Sequence, residues 1–144
     1  MKEMNNTLPK YTDTVIIGAG LGGLAMGIGM QKKGLNDYII IEKSTEVGGT
    51  WRDNSYPGCA CDVQSHLYSY SFTNKSDWTK RYAPWNEIQQ YILDTVAEYN
   101  VRPNIRFGLE VNSAEFDEKS AIWTVGTADG QTVQCRYFVL ATGP

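Results

Sequence analysis

Three short runs of consecutive apolar residues stand out along the chain, and the spacing of apolar positions changes between them. Thr14-Val15-Ile16-Ile17 runs directly into glycines, and Tyr38-Ile39-Ile40-Ile41 ends at Glu42. Runs this short, bounded by glycine or charge, predict strands of a parallel sheet buried on both faces. Between them, Leu21 to Lys33 carries small and apolar residues at Leu24, Ala25, Ile28 and Met30. That spacing predicts a helix that starts inside the glycine turn, with Gly34 as its C-terminal cap. Strand, helix, strand in this order requires a crossover, and such crossovers are nearly always right-handed.

Residues 43–84 show no clear period and are rich in Gly, Ser, Tyr, Trp and Asp. Within them Tyr68, Tyr70 and Phe72 alternate as strand residues do. An irregular stretch this long inside a compact domain tends to serve function. Pro84-Trp85-Asn86-Glu87 opens a second helix, with Ile88, Tyr91, Ile92, Thr95, Val96 and Tyr99 at helical spacing and Pro103 as its stop. Phe107 to Phe116, Ala121 to Thr127 and Thr132 to Arg136 then read as strands, and Asp129-Gly130 marks a hairpin turn. Tyr137 to Ala141 is a last buried strand before Thr142-Gly143-Pro144. Residues 1–12 are polar and are expected to be a flexible N-terminus, leaving 13–144 as one domain.

The glycines carry the first chemical signal. Gly18, Gly20 and Gly23 form G-x-G-x-x-G after a predicted strand and at the start of a predicted helix. Glu42 ends the next strand about 20 residues later, as the dinucleotide-binding fingerprint requires. In that fingerprint Gly18 permits the tight turn and Gly20 lets a pyrophosphate approach the backbone. Gly23 lets the helix pack closely, and the helix N-terminus faces the phosphates. Glu42 is expected to accept hydrogen bonds from ribose hydroxyls. Its charge would repel a 2′-phosphate, so the site favours FAD or NAD over NADP.

Composition narrows the alternatives. Hydrophobic residues make up 42 % of the 144, which excludes a disordered chain. Thirteen Lys and Arg against 16 Asp and Glu give a net charge of −3, so no basic excess exists to hold a nucleic acid. Three Cys are too few, and odd in number, for a disulfide framework, which points to a reducing, cytoplasmic setting. The uncharged stretch from Thr14 to Met30 holds too many glycines for a secretory core, and no run of about 20 apolar residues is present to span a membrane.

From Gly48 onward the sequence resembles a known family. Gly48-Gly49-Thr50-Trp51, Tyr56-Pro57-Gly58-Cys59-Ala60-Cys61-Asp62-Val63 and Ser65-His66-Leu67-Tyr68-Ser69-Tyr70-Ser71-Phe72 are similar to the flavin-binding region of Baeyer–Villiger monooxygenases. These are class B flavoprotein monooxygenases, with flavin-containing monooxygenases as relatives. The likeness extends to Asn86–Ile92 and to Ala141-Thr142-Gly143, covering about residues 13–144. The Y-P-G-x-x-C-D segment is far more specific than the glycine fingerprint.

The resemblance implies an α/β fold. This is the N-terminal portion of a Rossmann-like FAD-binding domain, a parallel sheet with a three-stranded antiparallel meander, with the NADPH domain absent. It implies FAD as cofactor, NADPH as reductant through a second domain, O2 as co-substrate and a ketone converted to an ester or lactone. Expected cofactor contacts are Gly18, Gly20, Gly23, Glu42, Lys43, Gly49, Thr50, Trp51, Arg52, Asp53, Tyr68, Val111, Ala141 and Thr142. Ala60, Cys61, Asp62 and Val63 are expected where nicotinamide meets flavin, and Asp62 is the catalytic candidate, paired with an arginine of the second domain.

Two other readings stay open. One is N- or S-oxygenation by a flavin-containing monooxygenase, and the other a non-catalytic FAD-binding fragment. On every reading, including the Baeyer–Villiger one, these 144 residues alone are expected to be inactive, because only one fingerprint is present. Cys59 and Cys61 are spaced too closely for an ordinary zinc pair, so no metal is expected. His66, the only histidine, reads as a packing or turn residue.

Overall fold

A computed structural model describes residues 6–143. Strands β1 (Thr14–Ile17) and β2 (Tyr38–Glu42) pair in parallel around helix α1 (Leu21–Lys32). Helix α2 (Thr50–Asp53) is a single turn, and α3 (Trp85–Glu98) is the long helix. Then follow β3 (Ile105–Phe107), β4 (Val111–Asp117), β5 (Ile122–Thr127), β6 (Thr132–Cys135) and β7 (Tyr137–Leu140). The parallel sheet has the order β3-β2-β1-β7, and β4-β5-β6 form a separate antiparallel meander.

Period-2 alternation explains the layering. Ile16 and Ile40 point to the helical side, where they pack with Leu24, Ile28, Ile88 and Ile92. Val15, Ile39 and Ile41 point the other way and pack with Val125 and Val133 of the meander. The apolar runs of β1 and β2 are continuous because both faces are covered. Strand β7, expected to be buried, is an edge of the sheet and leaves Tyr137 and Leu140 exposed.

Both long helices end in the same way. Gly34, at φ +75°, follows α1, and Leu35 N–H donates back to Met30 O while Gly34 N–H donates to Gln31 O. After α3, Asn100 takes the left-handed conformation at φ 50°, and Val101 and Asn100 donate to Val96 O and Ala97 O. These crossed bonds satisfy carbonyls at the helix ends. Asn100 therefore stops α3, and Pro103 lies further on in a short 3-10 turn, Arg102–Asn104.

Three other expectations change. The run from Phe107 to Phe116 is two strands, because Gly108 (φ +71°) turns the chain off the parallel sheet toward the meander. Tyr68, Tyr70 and Phe72 do not lie in a strand: a 3-10 turn, Ser65–Leu67, precedes them and a tight turn links Tyr70 to Thr73. Residues 6–12 are held rather than free. Thr12 N–H donates to Gln134 O, Leu8 N–H to Gln131 Oε1, and Gln134 N–H to Lys10 O. Residues 1–5 of the expected flexible N-terminus lie outside the described residues.

Candidate functional site

The carboxyl ends of β1, β2 and β7 lie side by side, and a cleft of about 740 Å³ opens over them. Parallel sheets bind ligands at this edge. Ala141 N–H donates to Ile17 O, and Gly18 N–H donates to Ile41 O, so the three strand ends are bonded into one floor. Gly18 turns out of β1 at φ +100°, with no room for a side chain: a Cβ would lie 2.5 Å from Ala141 O. Gly23 is tighter still, since its Cβ would meet Gly18 O at 1.9 Å. These two glycines bring α1 against the strand ends.

Gly20 differs from both. A Cβ there would have only Gly49 Cα nearby, at 3.8 Å. Gly49 faces it from the second glycine turn, and its own Cβ would lie 3.2 Å from Gly20 Cα. Two bare backbone turns thus meet on the cleft wall. Among the described residues, the N–H groups of Leu21 and Gly22 at the start of α1 have no protein acceptor. A pyrophosphate fits such a wall: free donors, the positive end of α1 and no side chain in the way.

Glu42 is 4 % exposed and tightly held. Ala19 N–H donates to its Oε2 at 2.8 Å, Ser44 N–H to its Oε1 at 2.9 Å, and Arg52 Nη1 to Oε1 at 3.2 Å. A carboxylate offers about four acceptor positions. The protein occupies three of them, which leaves about one for a ribose hydroxyl. The sequence pattern points only to the ligand; the structure adds that this carboxylate clamps the turn after β1 to the end of β2.

Arg52 also donates from Nη1 to Glu46 O at 2.6 Å, and from Nε and Nη2 to both oxygens of Asp53. That fork holds the Asp53 carboxyl below its ordinary range, with Arg52 as the main cause and Lys43 adding to it. The Arg52 guanidinium is correspondingly held above its usual value. At the far wall, Trp51 Nε1–H donates to Tyr68 Oη at 3.0 Å, and the two rings meet edge to face. Burial raises the Tyr68 phenol, against the opposing Trp51 hydrogen bond.

Of the residues expected to contact cofactor, the cleft is lined by Gly18, Gly20, Glu42, Lys43, Gly49, Thr50, Trp51, Arg52, Asp53, Tyr68, Val111, Ala141 and Thr142. Gly23 lies behind it as a packing residue. Ala60, Cys61, Asp62 and Val63 are not part of its lining. Their segment runs instead beside residues 83–85, with Cys61 N–H donating to Ala83 O and Trp85 N–H to Cys59 O. Asp62 and His66 are exposed, and Cys59 and Cys61 are buried in the helical-side core.

The cleft also takes in Gly48, Leu109 and Glu110, which are not among the expected cofactor contacts, although Gly48 belongs to the second glycine turn. Gly108 is the available signal for the last two. It releases the chain from β3 so that Leu109 N–H can return to Glu42 O. Among the described residues no helix is long and apolar enough to cross a membrane, and no group of three or more His, Cys, Asp or Glu is placed to hold a metal ion.

The sequence model of the pyridine nucleotide-disulphide oxidoreductase family matches residues 15–144. A Baeyer-Villiger monooxygenase of Streptomyces coelicolor is 38 % identical over 135 residues, covering 94 % of this chain and 26 % of that protein. An oxidized steroid monooxygenase bound to NADP superposes with a TM-score of 0.88 at 38 % identity, over 93 % of this chain and 26 % of that one. The OTEMO complex with FAD and NADP gives a TM-score of 0.86 at 32 % identity, over 92 % of this chain and 26 % of that one. The chain therefore spans about a quarter of the length of the curated relatives it matches.

Proposed function

The chain belongs to the pyridine nucleotide-disulphide oxidoreductase family, and from that premise we propose that it is the FAD-binding portion of an NADPH- and O2-dependent monooxygenase of Baeyer–Villiger type. In that reaction a ketone, O2, NADPH and a proton give an ester or lactone, NADP+ and water. FAD, when bound, supplies the means of activating O2 with electrons from NADPH.

The residues of this chain bind and orient. The observation that carries the reading is the bare contact of Gly20 with Gly49 beneath unpaired N–H groups, at the mouth of three strand ends. The start of α1 would hold the pyrophosphate, and the remaining acceptor position of Glu42 would take an adenosine ribose hydroxyl. Lys43, Val111, Ala141 and Thr142 border the nucleotide, and Thr50, Trp51, Arg52, Asp53 and Tyr68 border the path of the flavin and its ribityl chain. Ala60, Cys61, Asp62 and Val63 meet the nicotinamide cofactor, with Asp62 positioning an arginine supplied from elsewhere in the enzyme. Such a fixed charge pair beside the reacting atoms stabilises developing charge without reorganisation. The setting proposed is cytoplasmic.

The test uses Gly20→Val and FAD titration followed by flavin fluorescence. A Cβ at Gly20 meets nothing closer than 3.8 Å in the ligand-free fold, so the unfolding midpoint should stay close to that of the unaltered chain. FAD uptake should fall by at least tenfold. A Gly20→Val chain that binds FAD as well as the parent would refute the placement.

A further inference from the structure

Gln89, on α3, touches the second glycine turn from behind, and nothing in the cleft lining includes it. Its Nε2 donates to Val47 O at 2.9 Å. The Gly48 N–H of the same peptide unit donates to Ala19 O at 3.0 Å. The Val47–Gly48 peptide is thus pinned at both ends, by a side chain of α3 on one side and by the turn after β1 on the other. Ala19 in turn donates its N–H to Glu42 Oε2, which extends the chain of bonds to the nucleotide end of the cleft.

The other amide atom completes the contact. Gln89 Oε1 is buried without a hydrogen-bond donor. A Cβ at Gly48 would lie 2.0 Å from it, so an α-hydrogen of Gly48 points at this oxygen. The amide cannot be reversed, because Oε1 would then face the Val47 carbonyl. Gln89 therefore reads both the carbonyl of residue 47 and the missing side chain of residue 48.

This peptide needs such a restraint. Gly48 sits at φ +126°. Turning the peptide plane over moves that angle by about 180°, to roughly −54°, which glycine adopts at least as readily. The flipped peptide would point its carbonyl at Ala19 O and push the turn away from Gly20. Glycine at position 48 favours neither value of φ strongly, so the side chain that binds one arrangement helps to select it.

We propose that Gln89 is a positioning residue for cofactor binding: it locks the Val47–Gly48 peptide and so holds Gly49 against Gly20. The functional part of this inference rests on the FAD reading above. The lock itself is a property of the ligand-free chain.

Two variants test it in the 144-residue chain. Gln89→Met keeps the length and removes the donor. Backbone amide exchange at Gly48 should then rise about tenfold, the loss of one neutral hydrogen bond, while exchange in the middle of α3 stays unchanged. FAD affinity should fall by about the same factor. Gln89→Glu presents an acceptor to the Val47 carbonyl at pH 8 and should bind FAD poorly there. Below pH 5 its protonated carboxyl can donate again, and affinity relative to the parent at the same pH should recover. Unchanged Gly48 exchange in Gln89→Met overturns the lock. Exchange that rises equally throughout α3 assigns Gln89 to general stability and also overturns it. Altered exchange with unaltered FAD affinity overturns the link to the cofactor. A parent chain that takes up no FAD refutes the function proposed above, and the exchange measurement still decides the lock.

Discussion

Replacing Glu42 by Gln separates a carboxylate that only awaits a ligand from one that also holds the fold. The side chain keeps its shape, and one oxygen becomes a second donor. The less costly orientation leaves the amide oxygen facing Ser44 N–H and Arg52 Nη1, with the amide NH2 against Ala19 N–H. One buried N–H then loses its acceptor, at about 1–3 kcal/mol. The two retained bonds lose their charge assistance, at about 1 kcal/mol each. Arg52 keeps Glu46 O and Asp53, so its charge is not stranded. The loss of stability should be roughly 3 kcal/mol, at the lower end of that sum. For a chain of this length that corresponds to a fall of about 6–12 °C in melting temperature. The assay is urea and thermal unfolding of the FAD-free chain, followed by circular dichroism. A loss below about 1 kcal/mol without FAD would mean that the three donors are satisfied elsewhere, and the clamp would be wrong.

Gly23→Ala sets helix propensity against packing. Alanine should favour α1 by about 1 kcal/mol, but its Cβ would sit 1.9 Å from a backbone carbonyl, so net destabilisation of about 2 kcal/mol or more is expected in thermal unfolding. A stabilised variant would show that α1 can lift off the strand at little cost. Burial pushes the Cys135 thiol up to about 11 from an ordinary 9.0, so the folded chain retains that proton where the unfolded chain has lost it. Stability should therefore be intact below pH 9 and decline as pH rises to about 11, by roughly 2–3 kcal/mol from this group. Urea unfolding at pH 8 and pH 11 measures the decline, and Cys135→Ala should reduce it by that amount; an equal slope in the variant refutes the assignment.

The parallel strands, both long helices, the meander and the first glycine turn were legible because each depends on local pattern. A β-branched run, a period near 3.6 and a glycine after the last helical turn act over a few residues. The middle segment was not legible because its order comes from distant partners. Tyr70 Oη donates to Leu21 O, Tyr91 Oη to Thr73 O and Tyr99 Oη to Phe72 O, each across 18 or more residues. Cys59 to Ser65 is held beside Arg81 to Trp85 by backbone bonds that no periodicity announces. The likeness to a family supplied the Thr50 to Asp53 wall, and it set Ala60 to Val63 apart as the place where nicotinamide meets flavin; these four residues are not in the lining of the cleft.

The three fingerprint glycines look equivalent in the sequence and are not equivalent in the structure. Gly18 and Gly23 lack side chains because the protein fills that space: Ala141 O, Gly18 O and the strand end leave no volume. Gly20 lacks one where the fold leaves space unfilled, at the cleft wall, whereas Gly49, at φ +53°, would press its own Cβ to 3.2 Å from Gly20 Cα. A side chain at the first pair acts on stability, and one at Gly20 acts on whatever occupies the cleft. Gly48 falls between these classes. Its missing Cβ accommodates Gln89, and through that contact the conformation of the ligand-facing turn depends on a helix that never reaches the ligand. A turn built from two adjacent glycines is inexpensive to bend around a cofactor but has no intrinsic reason to keep its shape. The bonds from Gln89 and Ala19 to one peptide plane supply that shape before any ligand arrives, so less of the binding free energy is consumed in ordering the site.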